Sequence, residues 1–262
     1  MPNPFVRNNI IFAPTKWRNR YSLLFDGVDE CININSLTGT LSATTTGIWS
    51  LWVRPTDATP SVQTVLIGFS QSGSNNNHME IILRTSGQLD FQATIPGAQS
   101  IDWAFNPDVN PLSDNKWTHI VLVQNGISPI CYINGIAVAI TFSISINKTR
   151  WFNSYTGANQ LNAANIGARD ILGGKVNFWN GNIDEVCFFN TNLSAAQVNE
   201  IYNDGKPNNL LKHSAADNLV SYFRMGDGDS FDGANWTIYD KKGTNNGTSV
   251  NMEAVDLSVN VP

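Results

Sequence analysis

Two Asn-Gly pairs, Asn125-Gly126 and Asn134-Gly135, close the apolar runs in "KWTHIVLVQNG" and "SPICYINGIAVAI". Asn-Gly favours the positive-φ geometry of tight hairpin turns, and the runs beside it are rich in β-branched residues. A chain built this way folds by antiparallel strand pairing. The same alternation of apolar run and turn extends along the chain. "YSLLFDG" and "ECININ" read as strands on either side of an Asp26-Gly27 turn. "GIWSLWVRP" alternates and stops at Pro55, which has no N–H to give a ladder. "TVLIGFS", "HMEIILRT" and "QLDFQAT" follow, the last two joined at Ser86-Gly87, and then a long polar loop is expected from about 97 to 115. "ANIGAR", "VNFWNGNIDEVCFFN" and "NLVSYFRM" give further strands. One helix is predicted in "LSAAQVNEIYNDG", where Ser194 and Gln197 make a capping box and Gly205 with Pro207 stops it. Many short strands with one short surface helix predict an all-β fold, a two-sheet antiparallel sandwich.

Composition narrows the function. Of 262 residues, 42% are hydrophobic, enough for a core, and only 14% are charged. The net charge is -5, so no broad basic field exists and nucleic acid is excluded as a partner. No window approaches the roughly 18 apolar residues of a membrane span, which excludes membrane insertion. The opening "MPNPFVRNNIIFAPTKWRNRY" lacks the pattern of a signal peptide, so synthesis and folding in a cytoplasm are expected. The sequon at Asn235 then carries no weight. Cys31, Cys131 and Cys187 are expected as buried, reduced thiols. His78, His119 and His213 are scattered and suggest no zinc site.

Three regions are expected. Residues 1–20 form an extended arm with apolar anchors Phe5, Phe12 and Trp17 and basic residues Arg7 and Arg18. It packs either on its own domain or on a neighbouring subunit. Residues 21–205 form the sandwich. Residues 206–262 supply strands that complete or cover it.

Several segments resemble laminin-G-like, concanavalin A-like jelly-roll domains. "SLLFDGVDECININ", with Asp26 and Gly27, resembles their opening strands. "GIWSLWVRP", with Trp52, resembles their second strand. "DNKWTHIVLVQNG" and "CYINGIAV", with Trp117, Asn134 and Gly135, resemble their central hairpin. "GNIDEVCFFNTNLSAAQVNEIYNDG", with Asp184, resembles their closing strand and helix. The resemblance covers roughly residues 20–205 and implies a jelly-roll sandwich. Together with the Asn-rich text it is closest to laminin-G-like proteins of tailed phages, often marine ones. It thus implies a virion protein, made in the host cytoplasm, that decorates the capsid or builds a head fibre. The implied partners are capsid or other virion proteins, further copies in a homo-oligomer, and host-surface glycans. A carbohydrate-binding adhesin is the alternative, and a glucanase the third reading.

Glucanases of this superfamily resemble one another in a Glu-x-Asp-x(1–2)-Glu strand motif. Here Asn182 stands at the first position, Val186 or Cys187 at the last, and only Asp184 fits. Period-2 geometry predicts Asp184 on one face with Val186 and Phe188, and Glu185 on the other with Ile183 and Cys187. No catalytic residue is expected. Asp184 should instead accept backbone N–H groups of a loop, with the Asp26-Gly27 turn a candidate. Calcium occurs in relatives, and "GDGDSFDG" offers Asp227, Asp229 and Asp232 as oxygen ligands, with Asp26, Asp29 and Glu30 a second cluster. These carboxylates are equally consistent with turns that bond their own backbone. Trp103 and Phe105 in one polar loop, and Trp151, Phe152 and Tyr155 in another, either fold back onto the sandwich or contact a glycan or partner.

Overall fold

The computed structural model describes residues 17–262; Phe5, Arg7 and Phe12 lie outside the described residues. β1 (Ser22–Asp26) turns into β2 (Cys31–Asn33), and a short helix α1 (Ser36–Leu41) leads to β3 (Gly47–Pro55). A meander follows: β4 (Thr64–Ser70), β5 (His78–Leu83), β6 (Leu89–Thr94) and β7 (Ile101–Pro107). β8 (Thr118–Gln124), β9 (Pro129–Ile133) and β10 (Ile136–Ala137) form the Asn-Gly hairpins, and β11 (Ile140–Ser145) returns to β7. Next come β12 (Ala163–Ile166) and the small hairpin of β13 (Arg169–Ile171) and β14 (Gly174–Val176). β15 (Asn180–Phe189) and helix α2 (Ala195–Tyr202) precede β16 (Leu219–Phe223). β17 (Ser230–Phe231), β18 (Trp236–Ile238), β19 (Gly247–Val250) and β20 (Leu257–Ser258) end the chain.

The strands make two large antiparallel sheets. One runs β10-β9-β8-β3-β15-β1-β20, with β16 also paired to β15; the other runs β11-β7-β6-β5-β4-β12-β2-β19-β18-β17. This is the two-sheet antiparallel sandwich that the turns and alternation predict, in the jelly-roll form that the resemblance implies. The strands after residue 206 enter both sheets: β16 pairs with β15, β19 with β2 and β20 with β1.

The hairpin chemistry is as expected at one of the two Asn-Gly pairs; at the other only Gly126 has positive φ, and the Asn125 side chain instead accepts the Ile127 and Ser128 N–H groups in a longer loop. Asn134 and Gly135 both have positive φ, 50° and 77°, the geometry that Asn-Gly accepts at little cost. Helix α2 begins with the Ser194–Gln197 capping box and buries Val198 and Ile201 against Val121, Val123, Cys187 and Phe189 on the outer face of the eight-stranded sheet. The main core lies between the sheets, where Trp49, Phe69, Phe152 and Phe188 meet at ring separations of 4.8–6.4 Å. Cys31, Cys131 and Cys187 are buried free thiols.

The expected loop at 97–115 contains a strand. Ile101, Trp103 and Phe105 alternate with the smaller or polar Asp102, Ala104 and Asn106, and β7 pairs with both β6 and β11. Trp103 and Phe105 are 1% and 0% exposed, with Phe105 stacked on Phe91 at 4.7 Å. Trp151, Phe152 and Tyr155, on a turn that caps the sandwich, are at most 2% exposed. These five aromatics are therefore core and offer no surface to a glycan or partner. Burying such rings removes some 150–250 Å² each from water, which outweighs the polarity of the flanking loops.

Candidate functional site

Three connections meet at one end of the sandwich: the β1–β2 turn, the loop between β3 and β4, and the segment entering β15. Two glycines allow the approach. Gly181 has φ 138°, and a Cβ there would lie 2.3 Å from the Arg54 carbonyl oxygen, so only glycine lets β15 enter between β1 and β3 at this point. Gly27, at φ 78°, lies against Asn180, where a Cβ would come within 2.7 Å. The loop is held by the Asp57 carboxylate, which accepts the Thr59 N–H at 2.8 Å, and by Asp114, which accepts the Ala58 N–H at 2.8 Å.

Between these connections lies a cleft of about 360 Å³, lined by Gly27, Asp57, residues 60–64, Asn177, Phe178 and Asn180. Its size falls in the lower part of the ~300–1,000 Å³ range of small-molecule sites. Phe178 is half-buried and Val62 is 63% exposed, so apolar surface faces the opening. Asn177 donates to the Gln63 carbonyl at 3.0 Å, which fixes its amide in the wall. The Thr64 hydroxyl is buried and has no hydrogen-bond partner. Sequence reasoning missed this cleft, because its polar residues look like any turn and its aromatic, Phe178, sits beside the fully buried Trp179.

The acidic loop of the sequence analysis resolves into separate contacts. Asp227 accepts from the Arg20 N–H at 2.8 Å and Arg224 at 3.0 Å. Asp229 accepts from the Gly226 and Tyr239 N–H groups and from Lys241. Asp232 accepts from the Ala234 and Asn235 N–H groups. Their oxygens are turned to different donors and do not fit a calcium loop. Among the described residues no cluster of three or more His, Cys, Asp or Glu is set to hold a metal. In the β1–β2 turn, Asp26 accepts from Val28 and Asp29, while Glu30 accepts the Asp26 N–H at 2.7 Å. Burial, with the charges of Asp256 and Asp26, pushes the Glu30 carboxyl up to about 8. Trp117 donates to Asn260 at 2.9 Å, and Trp52 stacks on Tyr202 at 5.5 Å under α2.

The carboxylates of β15 are placed differently from the period-2 expectation. Asp184 opposes Trp52 and Cys187 opposes Ser50, so two residues, Glu185 and Val186, share one position of β3. Glu185 takes φ 49° in this bulge. The extra residue resets the alternation. Ile183, Val186 and Phe188 enter the main core, while Asp184 and Glu185 lie together off it. The separation of the pair onto opposite faces is therefore overturned. The pair is buried: Asp184 and Glu185 are 0% and 3% exposed, beneath residues 17–20.

Asp184 accepts the Glu185 N–H at 2.8 Å and the Asn19 amide at 2.7 Å, so it holds the segment before β1, not the Asp26-Gly27 turn. Glu185 accepts from the Tyr222 hydroxyl and from Arg224. Arg224 also donates to the Arg18 carbonyl at 2.6 Å and lies 4.5 Å from the Trp17 ring centre. Burial, and then the neighbouring charge of Glu185, holds the Asp184 carboxyl well above the ordinary carboxylate range. Burial likewise pushes Glu185 up to about 7, against the opposing pull of Arg224 and Tyr222.

A sandwich of two antiparallel jelly-roll sheets with a polar cleft among its end loops defines a lectin-like domain. The sequence pattern of the Concanavalin A-like lectin/glucanases superfamily (Laminin_G_3) matches residues 26–199, and the chain belongs to that superfamily. The fold is similar to the CBM40 of Ruminococcus gnavus IT-sialidase bound to α2,3 sialyllactose, with a TM-score of 0.56 and 10% identity, over 69% of this chain and 97% of that one. It is similar to a candidate carbohydrate binding protein from Bacteroides ovatus ATCC 8483, with a TM-score of 0.57 and 14% identity, over 89% of this chain and 58% of that one. It is also similar to part of the NanB sialidase of Streptococcus pneumoniae, with a TM-score of 0.55 and 22% identity, over 68% of this chain and 27% of that one. At these identities the likeness shows the fold. No curated protein matches the chain in sequence. No helix among the described residues is long and apolar enough to cross a membrane.

Proposed function

We propose that the chain is a non-catalytic carbohydrate-binding domain that holds its ligand in the end cleft. One observation carries this: the cleft brings half-buried Phe178 together with Asn177, Asn180, Gln63 and Asp57. An apolar wall beside a few convergent polar groups is the arrangement that orients a small polar ligand. The shared fold of a CBM40 that binds sialyllactose supports the reading. The single carboxylate among the described lining residues supports the non-catalytic reading, since glycosidases of the usual kind use two. A glycan array with the full chain tests the proposal. Binding that Phe178→Ala lowers at least tenfold supports it, and an array without binding overturns it.

The setting we propose is a phage particle, on which the domain decorates the capsid or a fibre and meets host-surface glycans. The likeness of the sequence segments to laminin-G-like phage proteins supports this setting. Mass spectrometry of purified particles tests it, and absence of the protein overturns it. A homo-oligomer would form along β11, a six-residue edge strand whose sequence, ITFSIS, carries no charge to discourage pairing.

A further inference from the structure

We propose that the end cleft selects neutral, hydroxyl-rich pyranosides and rejects acidic sugars, including the sialic acid bound by its structural neighbour. This rests on the reading of the cleft as the ligand site, and it goes against the ligand that fold likeness would suggest.

The first argument is charge. Among the described residues, Asp57 is the only charged one in the lining. The β1–β2 turn beside it adds Asp26 and Asp29, both exposed. A sugar carboxylate is recognised by a guanidinium or ammonium group, most firmly by a bidentate arginine. Arg84 is the cation bonded to a lining side chain, and it is already committed: it donates to the Gln63 side chain and pairs with Asp90 through Nε and a terminal nitrogen. An acidic sugar would thus bring its charge to Asp57 with no free cation among the described lining residues to offset it.

The second argument is the set of atoms left free. Asn180 makes no side-chain hydrogen bond among the described residues, and its amide offers a donor and an acceptor at the opening. Gln63 accepts from Arg84 through Oε1, which leaves its Nε2 to donate. Asn177 donates from Nδ2 to the Gln63 carbonyl, which leaves its Oδ1 to accept. Asp57 uses Oδ1 on Thr59 and keeps Oδ2. Mixed donors and acceptors match hydroxyl groups, which do both. Phe178 and Val62 supply the apolar surface that the C–H face of a pyranose ring covers.

The test uses the full chain on an array that carries neutral hexosides and N-acetylhexosaminides beside α2,3- and α2,6-sialyllactose and glucuronides. Binding to neutral glycans, at least tenfold weaker for each acidic counterpart, is expected. Phe178→Ala and the exposed-site variant Asn180→Ala should each weaken it at least tenfold, with unchanged circular dichroism. Val62→Arg, which adds a guanidinium at the lip, should raise binding to the acidic glycans at least tenfold. Preference of the parent chain for sialylated glycans would overturn the inference and leave the carbohydrate-binding reading intact. An array without binding overturns that reading itself, and binding untouched by both alanine variants overturns the cleft as the site of either.

Discussion

Replacing Glu185 by glutamine separates the buried carboxyl pair from every other source of pH dependence. In the folded protein Glu185 titrates at about 7 against an ordinary 4.5. Below pH 4.5 both folded and unfolded chains keep this proton, and the stability it is linked to is fully present. Between 4.5 and 7 the unfolded chain releases the proton while the folded chain retains it, so stability falls as pH rises. At about 1.36 kcal/mol per pH unit, this amounts to about 3 kcal/mol across the window, after which the curve is flat. Other groups bend the absolute profile. His119, pushed down to about 3 by burial, gives the opposite slope from 6.5 downward. Glu30, pushed up to about 8, adds to the slope of Glu185. Both are present in parent and variant and cancel in the difference. Urea unfolding of the two proteins across this range, with equal m-values, gives that difference directly. The variant should gain about 3 kcal/mol relative to the parent between pH 4.5 and 7. Removing the Glu185 charge also relieves Asp184, which extends the gain to higher pH. Parallel curves for the two proteins would refute the buried, proton-retaining pair and the bulge that creates it.

Three further outcomes are expected. Gly181→Ala, which sets a Cβ 2.3 Å from the Arg54 carbonyl, should cost at least ~2 kcal/mol in chemical denaturation; a near-neutral result would refute the close approach of β15 and β3. Phe152→Ala should cost ~3–5 kcal/mol and leave glycan binding by the folded protein unchanged, whereas loss of binding without loss of stability would return the ring to the surface. Calcium added to EDTA-treated protein should leave the melting temperature in place, and a calcium-dependent rise removed by Asp229→Ala would reinstate the acidic loop as a metal site.

The legible part of this sequence is the part that local geometry decides. Asn134-Gly135 favours positive φ at both residues and adopts it, and Ser194 with Gln197 closes a helix start without help from the rest of the fold. Such features gave the strand pairs, the helix α2 and hence the sandwich. Alternation carried less, because it holds only while a strand is regular. Glu185 sits at φ 49° with no glycine or asparagine to mark the bulge, and one extra residue moved its carboxylate onto the same side as that of Asp184. The smaller or polar neighbours of Ile101, Trp103 and Phe105 hid a two-residue period that pairing with β6 and β11 makes decisive.

Aromatics in polar segments misled for a related reason. A polar loop reports the exposure of its backbone, while a ring of this size reports where the nearest core is. Trp151, Phe152 and Tyr155 cap that core, so their polar context said nothing of a binding surface. Phe178 and Trp179 make the point within two residues. Consecutive side chains of an extended segment point opposite ways, so one ring of the pair must leave the core. Trp179 is fully buried and Phe178 faces the cleft, and the register of β15 on β1 and β3, which Gly181 permits, fixes which of them is free to meet a ligand.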